Sequence, residues 1–231
     1  KAVSKNISLI YVFINFSWLI GPLIAGFLME KYGFKGVFII SAFFMFISLI
    51  IFKSFHIKDE RVDKKIDKNP VRIILEFLKE RNRFLNYILS TGVHFWWALI
   101  YIYIPIYIIE SGLGISVVGY FLFAIVIPLI LFEYHFGKLA AKIGFRKIFF
   151  TGYVFLAVMA LLSFFTSNIY FMLSLLVVAS VGAAMIEPTT EAHFFDIINK
   201  RQRDKYYGPY NTGIELGSSV ATFICAIILL F

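Results

Sequence analysis

Three side chains that can stack or form hydrogen bonds recur at helical spacing in one apolar stretch of this 231-residue chain. His94, Trp97 and Tyr101 follow an i, i+3, i+7 pattern, which places them on one face of a helix, here called the aromatic face. Polar groups within apolar helices are costly, so this face is a candidate binding site. For His94, a packing role and a substrate or proton role both stay open. Asn15, in an earlier apolar run, would contact substrate or a neighbouring helix.

Two carboxylates interrupt apolar stretches later in the chain. Glu187 lies deep in its run, where a low dielectric constant would suit a group that exchanges protons. Glu215 has two interpretations, a pairing with a basic loop residue or a role in carrying a proton. Glu187, Glu191 and His193 are spaced as Glu-x3-Glu-x-His, but no further ligand pattern accompanies them, so we predict no metal site and no cofactor.

The composition indicates which elements position these side chains. Hydrophobic residues make up 60% of the chain and charged residues 16%, and the mean hydropathy is +0.84. These values lie outside the soluble globular range. A membrane-spanning helix needs about 20 mostly apolar residues. Seven runs reach about that length: 7–29, 36–55, 85–109, 115–136, 148–166, 169–188 and 212–231.

These runs predict an all-α fold, a polytopic membrane helix bundle. They are continuous rather than alternating, and a helix satisfies its own backbone groups in lipid. Of the 22 Lys and Arg residues, twenty fall in alternate loops, so we expect the amino end and the basic loops in the cytoplasm and the chain in the plasma membrane. The net charge of +8 therefore indicates orientation in a lipid bilayer, and no nucleic-acid partner is expected.

A polar stretch separates the first two runs from the other five. It extends over 56–84 and carries many charges of both signs. Asn69 is typical of a helix N-cap and Pro70 of the first helical position. We therefore predict an amphipathic helix from Val71 to Arg83 that lies along the membrane surface.

The first run carries small residues around a Gly-Pro pair. Its pattern S-x8-S-x3-G-P-x2-A-G begins at Ser8 and resembles G-x8-G-x3-G-P-x2-G-G, found in the fifth helix of antiporter branches of the major facilitator superfamily. Every departure replaces one small residue by another. The resemblance implies that the fifth helix bends and packs closely on the eighth. Gly21, Pro22 and Gly26 are then candidate bending and gating residues.

A second stretch, from Phe136 to Lys147, resembles the cytoplasmic signature G-x-L-A-D-R-x-G-R-K between helices eight and nine of that family. Ala141 occupies the position of the family's acidic residue. Glu133, one turn before the signature on the same helix, is our candidate for a nearby carboxylate. The predicted signature loop contains Gly137, Lys142, Gly144 and Arg146.

With this register the chain resembles helices five to eleven of a twelve-helix transporter, and helices one to four and twelve would be missing. The last two helices of the amino-terminal bundle are then 1–55, the cytoplasmic linker is 56–84, and the first five helices of the carboxy-terminal bundle are 85–231. The resemblance implies a substrate site between the bundles near the midplane, lined by the aromatic face, and alternating access by rocking of the bundles.

We therefore predict a secondary active transporter that moves a small solute and is coupled to protons through Glu133, Glu187 and Glu215, with uniport left open. The alternative is a seven-helix receptor or sensor, although such a protein normally has its amino end outside. An enzyme is not predicted, because the 231 residues contain no nucleophile elbow, paired-aspartate motif or His-Glu-x-x-His. They also lack the G-x4-G-K-[ST] phosphate loop of nucleotide-driven exporters.

Overall fold

Helices account for nearly all residues that the computed structural model describes, which are 2–55 and 69–229. No strand occurs in these two ranges, so the all-α prediction is confirmed. In chain order the elements are α1 (Ala2–Ser54), α2 (Pro70–Leu78), α3 (Arg81–Ala98), a π-helical turn (Leu99–Tyr103), α4 (Ile104–Glu110), α5 (Ile115–Ile143), α6 (Phe145–Phe164), α7 (Ile169–Ile197), a 3-10 turn (Lys200–Gln202) and α8 (Arg203–Leu229).

Among the described residues, six segments are long and apolar enough to cross a membrane. They correspond to the first six predicted runs. The seventh predicted run, 212–231, lies in α8, and its last two residues fall outside the described ranges. Its crossing of the membrane stays a prediction. The six segments are Asn6–Met29, Lys31–Ser54, Arg81–Glu110, Ile115–Ile143, Phe145–Phe164 and Ile169–Ile197.

The first two of these segments form one element, α1, with a kink at Gly33. This glycine has φ 64° and ψ −169°, a backbone conformation that residues with a Cβ atom rarely adopt. Between the predicted runs 7–29 and 36–55, only Gly33 leaves the helical conformation. One glycine is sufficient to change the direction of the chain between two spans.

The predicted amphipathic helix from Val71 to Arg83 is two helices. α2 begins as predicted, with the side chain of Asn69 accepting a hydrogen bond from the backbone N–H of Arg72 at 3.3 Å. It ends at Leu78, because α3 begins directly afterwards with its own cap. The carboxylate of Glu80 accepts hydrogen bonds from the backbone N–H groups of Asn82 and Arg83, the second and third residues of α3.

An aromatic cluster holds α2 against the bundle. Phe77 is completely buried and contacts three rings, which come from α3, α7 and α8. The Nζ of Lys205 on α8 lies 2.7 Å from Glu76 Oε2, and the neighbouring hydroxyl of Tyr206 donates to Glu76 Oε1 at 2.6 Å. α2 therefore packs on protein through its apolar face. The three rings around Phe77 are those of Tyr87, Phe194 and Tyr206, and Tyr210 stacks on Phe194.

The main core lies between α3, α5, α6 and α7. α6 and α7 come into backbone contact at two glycines. A Cβ on Gly182 would lie 2.8 Å from the carbonyl oxygen of Gly152, and a Cβ on Gly152 would lie 3.1 Å from the carbonyl oxygen of Gly182. Small residues allow such close approach between helices in a membrane. α1 lies outside this core and packs on α5 and α7.

A π-helical turn at Leu99–Tyr103 divides the third span. The backbone N–H of Ile104 donates to the carbonyl of Leu99, five residues earlier. Pro105 follows directly, and proline has no N–H to donate and crowds the carbonyl four residues before it. A wider turn accommodates the ring without breaking the span. The turn lies next to Trp97 and contains Tyr101.

Candidate functional site

A buried carboxylate on α5 is bound by a side chain of α1. Glu133 has no solvent-exposed surface, and Asn15 is 5% exposed. The Nδ2 of Asn15 donates a hydrogen bond of 2.7 Å to Glu133 Oε2. The other oxygen, Oε1, has no hydrogen-bond partner among the described residues. Half of this carboxylate thus has no hydrogen-bond partner, which is costly for a buried group.

A second carboxylate comes from α7. The indole Nε1 of Trp97 on α3 donates to Glu187 Oε2 at 2.9 Å. Glu187 is close enough to Glu133 for the two carboxylates to interact electrostatically. Two negative charges repel each other strongly in a medium of low dielectric constant. The pair is therefore chemically suited to bind a proton or another cation.

Three aromatic rings continue from Glu187 towards α1. The rings of Trp97 and Tyr101 are stacked, with centroids 5.4 Å apart and 30° between planes. The ring of Trp18 on α1 lies 5.4 Å from that of Tyr101. We call the whole group the carboxylate-aromatic cluster. It consists of Asn15, Trp18, Trp97, Tyr101, Glu133 and Glu187.

The structure thus brings together most of the polar residues proposed from the sequence, which came from four separate runs. Our sequence reasoning missed Trp18 as a site residue. The signal was present, since Trp18 follows Asn15 by three positions and shares its helix face. Whether these residues bind a substrate or a proton stays a prediction.

His94 and Glu215 form a second location, between α3 and α8. His94 donates its Nδ1–H to the carbonyl of Ser90, one turn earlier on its own helix, at 2.7 Å. Glu215 is exposed and lies near enough to His94 to interact with it electrostatically. These two candidates therefore belong to the α3–α8 contact. Their proposed roles in substrate binding and proton coupling stay predictions.

The residues of the Gly-Pro motif lie in a continuous helix. α1 keeps its helical conformation through Pro22. A Cβ added to Gly21 or to Gly26 would meet no atom within 4 Å, so no described helix packs closely on these glycines. α1 does pack on α5, the pairing that the resemblance implied for helices five and eight. Bending and gating by the motif stay predictions.

The predicted signature loop reduces to a single glycine between α5 and α6. Gly144 has φ 91° and ψ 150°, and its N–H donates to the carbonyl of Ala140 at 2.9 Å. Lys142 and Arg146 flank the glycine and are exposed, whereas Gly137 is buried on α5. The turn therefore displays two basic side chains four residues apart.

A groove of about 590 Å³ opens between α1, α7 and α8 near the amino end of α1. The hydroxyl of Tyr207 donates to Glu191 Oε1 at 3.0 Å on its wall. Tyr11 of α1 lies on the same wall. The groove therefore follows the contact of α1 with α7 and α8.

Sequence comparison places these features in a family. The sequence pattern of the Major Facilitator Superfamily matches residues 1–132 and 116–231. An uncharacterized MFS-type transporter of Methanocaldococcus jannaschii is 30% identical over 202 residues, which are 86% of this chain and 52% of that protein. The chain thus spans about half the length of this relative. No solved structure matches. With its apolar spans and these matches, the chain is a multi-pass membrane protein that belongs to the major facilitator superfamily.

Proposed function

We propose that the complete protein is a secondary active transporter that moves a small solute by alternating access and is coupled to protons. Family membership supports a membrane transporter. The observation that supports alternating access and proton coupling is the hydrogen bond from Asn15 to Glu133, because this buried bond joins α1 to α5. Nothing in the family match favours the seven-helix receptor.

The Asn15–Glu133 bond gives a proton a direct effect on helix packing. In our domain assignment, 1–55 belongs to the amino-terminal bundle and 85–231 to the carboxy-terminal bundle, so this bond crosses the interface between them. A charged carboxylate is a stronger hydrogen-bond acceptor than a neutral carboxylic acid. Proton binding to Glu133 would therefore weaken the contact between α1 and α5 and favour separation of the bundles.

The second carboxylate links this event to the aromatic rings. Glu187 interacts electrostatically with Glu133 and accepts the indole N–H of Trp97. A proton or ligand that reaches Glu187 changes the charge felt by Glu133. The solute would bind on the same rings, so its binding and that of the proton are coupled through the carboxylate pair.

The proposal includes an orientation in the plasma membrane. The basic residues of the loops support a cytoplasmic position for the amino end, the 56–84 linker and the turn at Gly144. The groove beside Tyr11 and Glu191 then opens on the cytoplasmic side. Separation of α1 from α7 and α8 along this groove would give the solute access from the cytoplasm.

The test uses the complete protein in inverted membrane vesicles that maintain a pH gradient. Sugars, organic acids, amines and drugs are added in turn, and a pH-sensitive fluorophore reports solute-induced proton movement. We expect Glu133→Gln and Glu187→Gln to abolish the response, and Glu215→Gln tests the second location. Glu110→Gln is the matched control, because Glu110 is exposed at the end of α4. A wild-type response in both Glu133→Gln and Glu187→Gln would refute proton coupling through this pair.

A further inference from the structure

The carboxylate-aromatic cluster brings together two carboxylates and no positively charged side chain. Asn15 satisfies one oxygen of Glu133, and Oε1 has no hydrogen-bond partner among the described residues although Glu133 is fully buried. Glu187 adds a second carboxylate within electrostatic range. The side chains that donate to these carboxylates are the carboxamide of Asn15 and the indole of Trp97, and neither carries a positive charge.

The surroundings of the two carboxylates favour an organic cation over a hard metal ion. A hard cation such as Ca²⁺ takes about six to eight oxygen ligands. Here, N–H groups of Asn15 and Trp97 already occupy one oxygen of each carboxylate. The remaining wall is a series of aromatic rings, whose faces attract cations with apolar substituents.

The series of rings extends from Glu187 to an exposed residue. The ring of Trp18 is 52% exposed, whereas Glu133 is fully buried. The stacked rings of Tyr101 and Trp97 lie between Trp18 and Glu187. Trp18 is therefore the member of the ring series that a cation would meet first.

We propose that the transported solute is a small organic cation with apolar substituents, of the quaternary ammonium or phosphonium class. Its charge lies against Glu133 and Glu187, and its substituents lie on the rings of Trp18, Trp97 and Tyr101. This inference rests on the proposed function, because it assigns the solute to the same cluster. Charge complementarity and the unused oxygen of Glu133 carry it.

Direct binding to the purified complete protein in detergent tests the proposal. The probe is methyltriphenylphosphonium, and triphenylphosphine oxide, of similar shape but neutral, is the control ligand. We expect saturable binding of the cation, at least tenfold tighter than that of the neutral ligand, which is about the discrimination that a desolvated charge contact gives. Equal affinity for the two ligands would overturn the proposal.

Two variants locate the binding site. Glu133→Gln should weaken cation binding by about tenfold and leave the neutral ligand unaffected. Trp18→Leu, at a half-exposed position that tolerates substitution, should weaken it by about threefold or more, which covers the case that Glu133→Gln fails to fold. Glu110→Gln should bind as the wild type does. Wild-type affinity in Trp18→Leu and in a folded Glu133→Gln would refute the assignment.

The two proposals fail separately. Binding in detergent requires no gradient, so cation binding without solute-induced proton movement would refute proton coupling alone. Proton movement induced by sugars or acids, together with no cation binding, would refute the cation class alone.

Discussion

Gly182→Ala should destabilise the protein by forcing α6 and α7 apart. A methyl group at this position would lie 2.8 Å from the carbonyl oxygen of Gly152 and 2.9 Å from Cγ of Leu156. A backbone oxygen cannot move away by a change of rotamer. The helices must therefore separate by several tenths of an ångström along the contact that unites the core.

The magnitude follows from two opposing effects. Overpacking a well-packed core costs about 1–3 kcal/mol, and the backbone contact at Gly182 places this site at the upper end. Alanine improves helix propensity over glycine by about 1 kcal/mol. We therefore expect a net loss of about 2 kcal/mol in the free energy of unfolding.

The measurement is thermal unfolding of the complete protein in detergent, followed by intrinsic fluorescence. Gly119→Ala is the matched control, because Gly119 lies within α5 and a Cβ there would meet no atom within 4 Å. We expect the melting temperature to fall in Gly182→Ala and to stay or rise in Gly119→Ala. A rise in both variants would show that α6 and α7 separate without cost and would refute the reasoning.

Two further predictions concern polar contacts. Hydrogen bonds from Lys205 and Tyr206 lower the pKa of Glu76, so their stabilisation of α2 is present above the ordinary glutamate value of about 4.3 and lost as the pH falls through the lower folded-state value. Melting temperatures at pH 3–6 should show a weaker acid dependence in Glu76→Gln, and an unchanged dependence would contradict this. Asn15→Leu should cost about 1–3 kcal/mol, since it removes the donor to buried Glu133. A double-mutant cycle of Asn15→Leu and Glu133→Leu, measured by the free energy of unfolding, should show that the two effects are not additive. Additive effects would contradict a stabilising bond between these side chains.

Sequence reasoning worked for the spans because run length is a local property. About 20 apolar residues are sufficient to identify a span wherever it packs. It failed at the carboxy-terminal end of α2 for a physical reason. Glu80 is an ordinary charged residue in a polar stretch, and only its backbone conformation shows that it caps α3 and separates it from α2.

The site was predictable residue by residue but not as a group. Asn15 and Glu187 stood out because polar side chains are rare in apolar runs, and Glu133 stood out because it precedes the stretch that resembles the family signature. The hydrogen bond between Asn15 and Glu133 joins residues 118 positions apart, and it forms only because α1 packs on α5. Trp18 went unnoticed, because an aromatic residue in a membrane span is ordinary until its neighbours are known.

The wide turn at Leu99–Tyr103 changes what a gain or loss of one residue means for the third span. In an ordinary helix, deleting one residue rotates every later side chain by about 100°. Here, narrowing the turn to an α-helical turn would absorb a deletion, at the cost of bringing the ring of Pro105 closer to the carbonyl four residues before it. Ile108, which is completely buried, would then keep its orientation about the helix axis and its place in the core. The distance along the chain between Trp97 and Tyr101 can therefore change by one residue while the second half of the span keeps its packing.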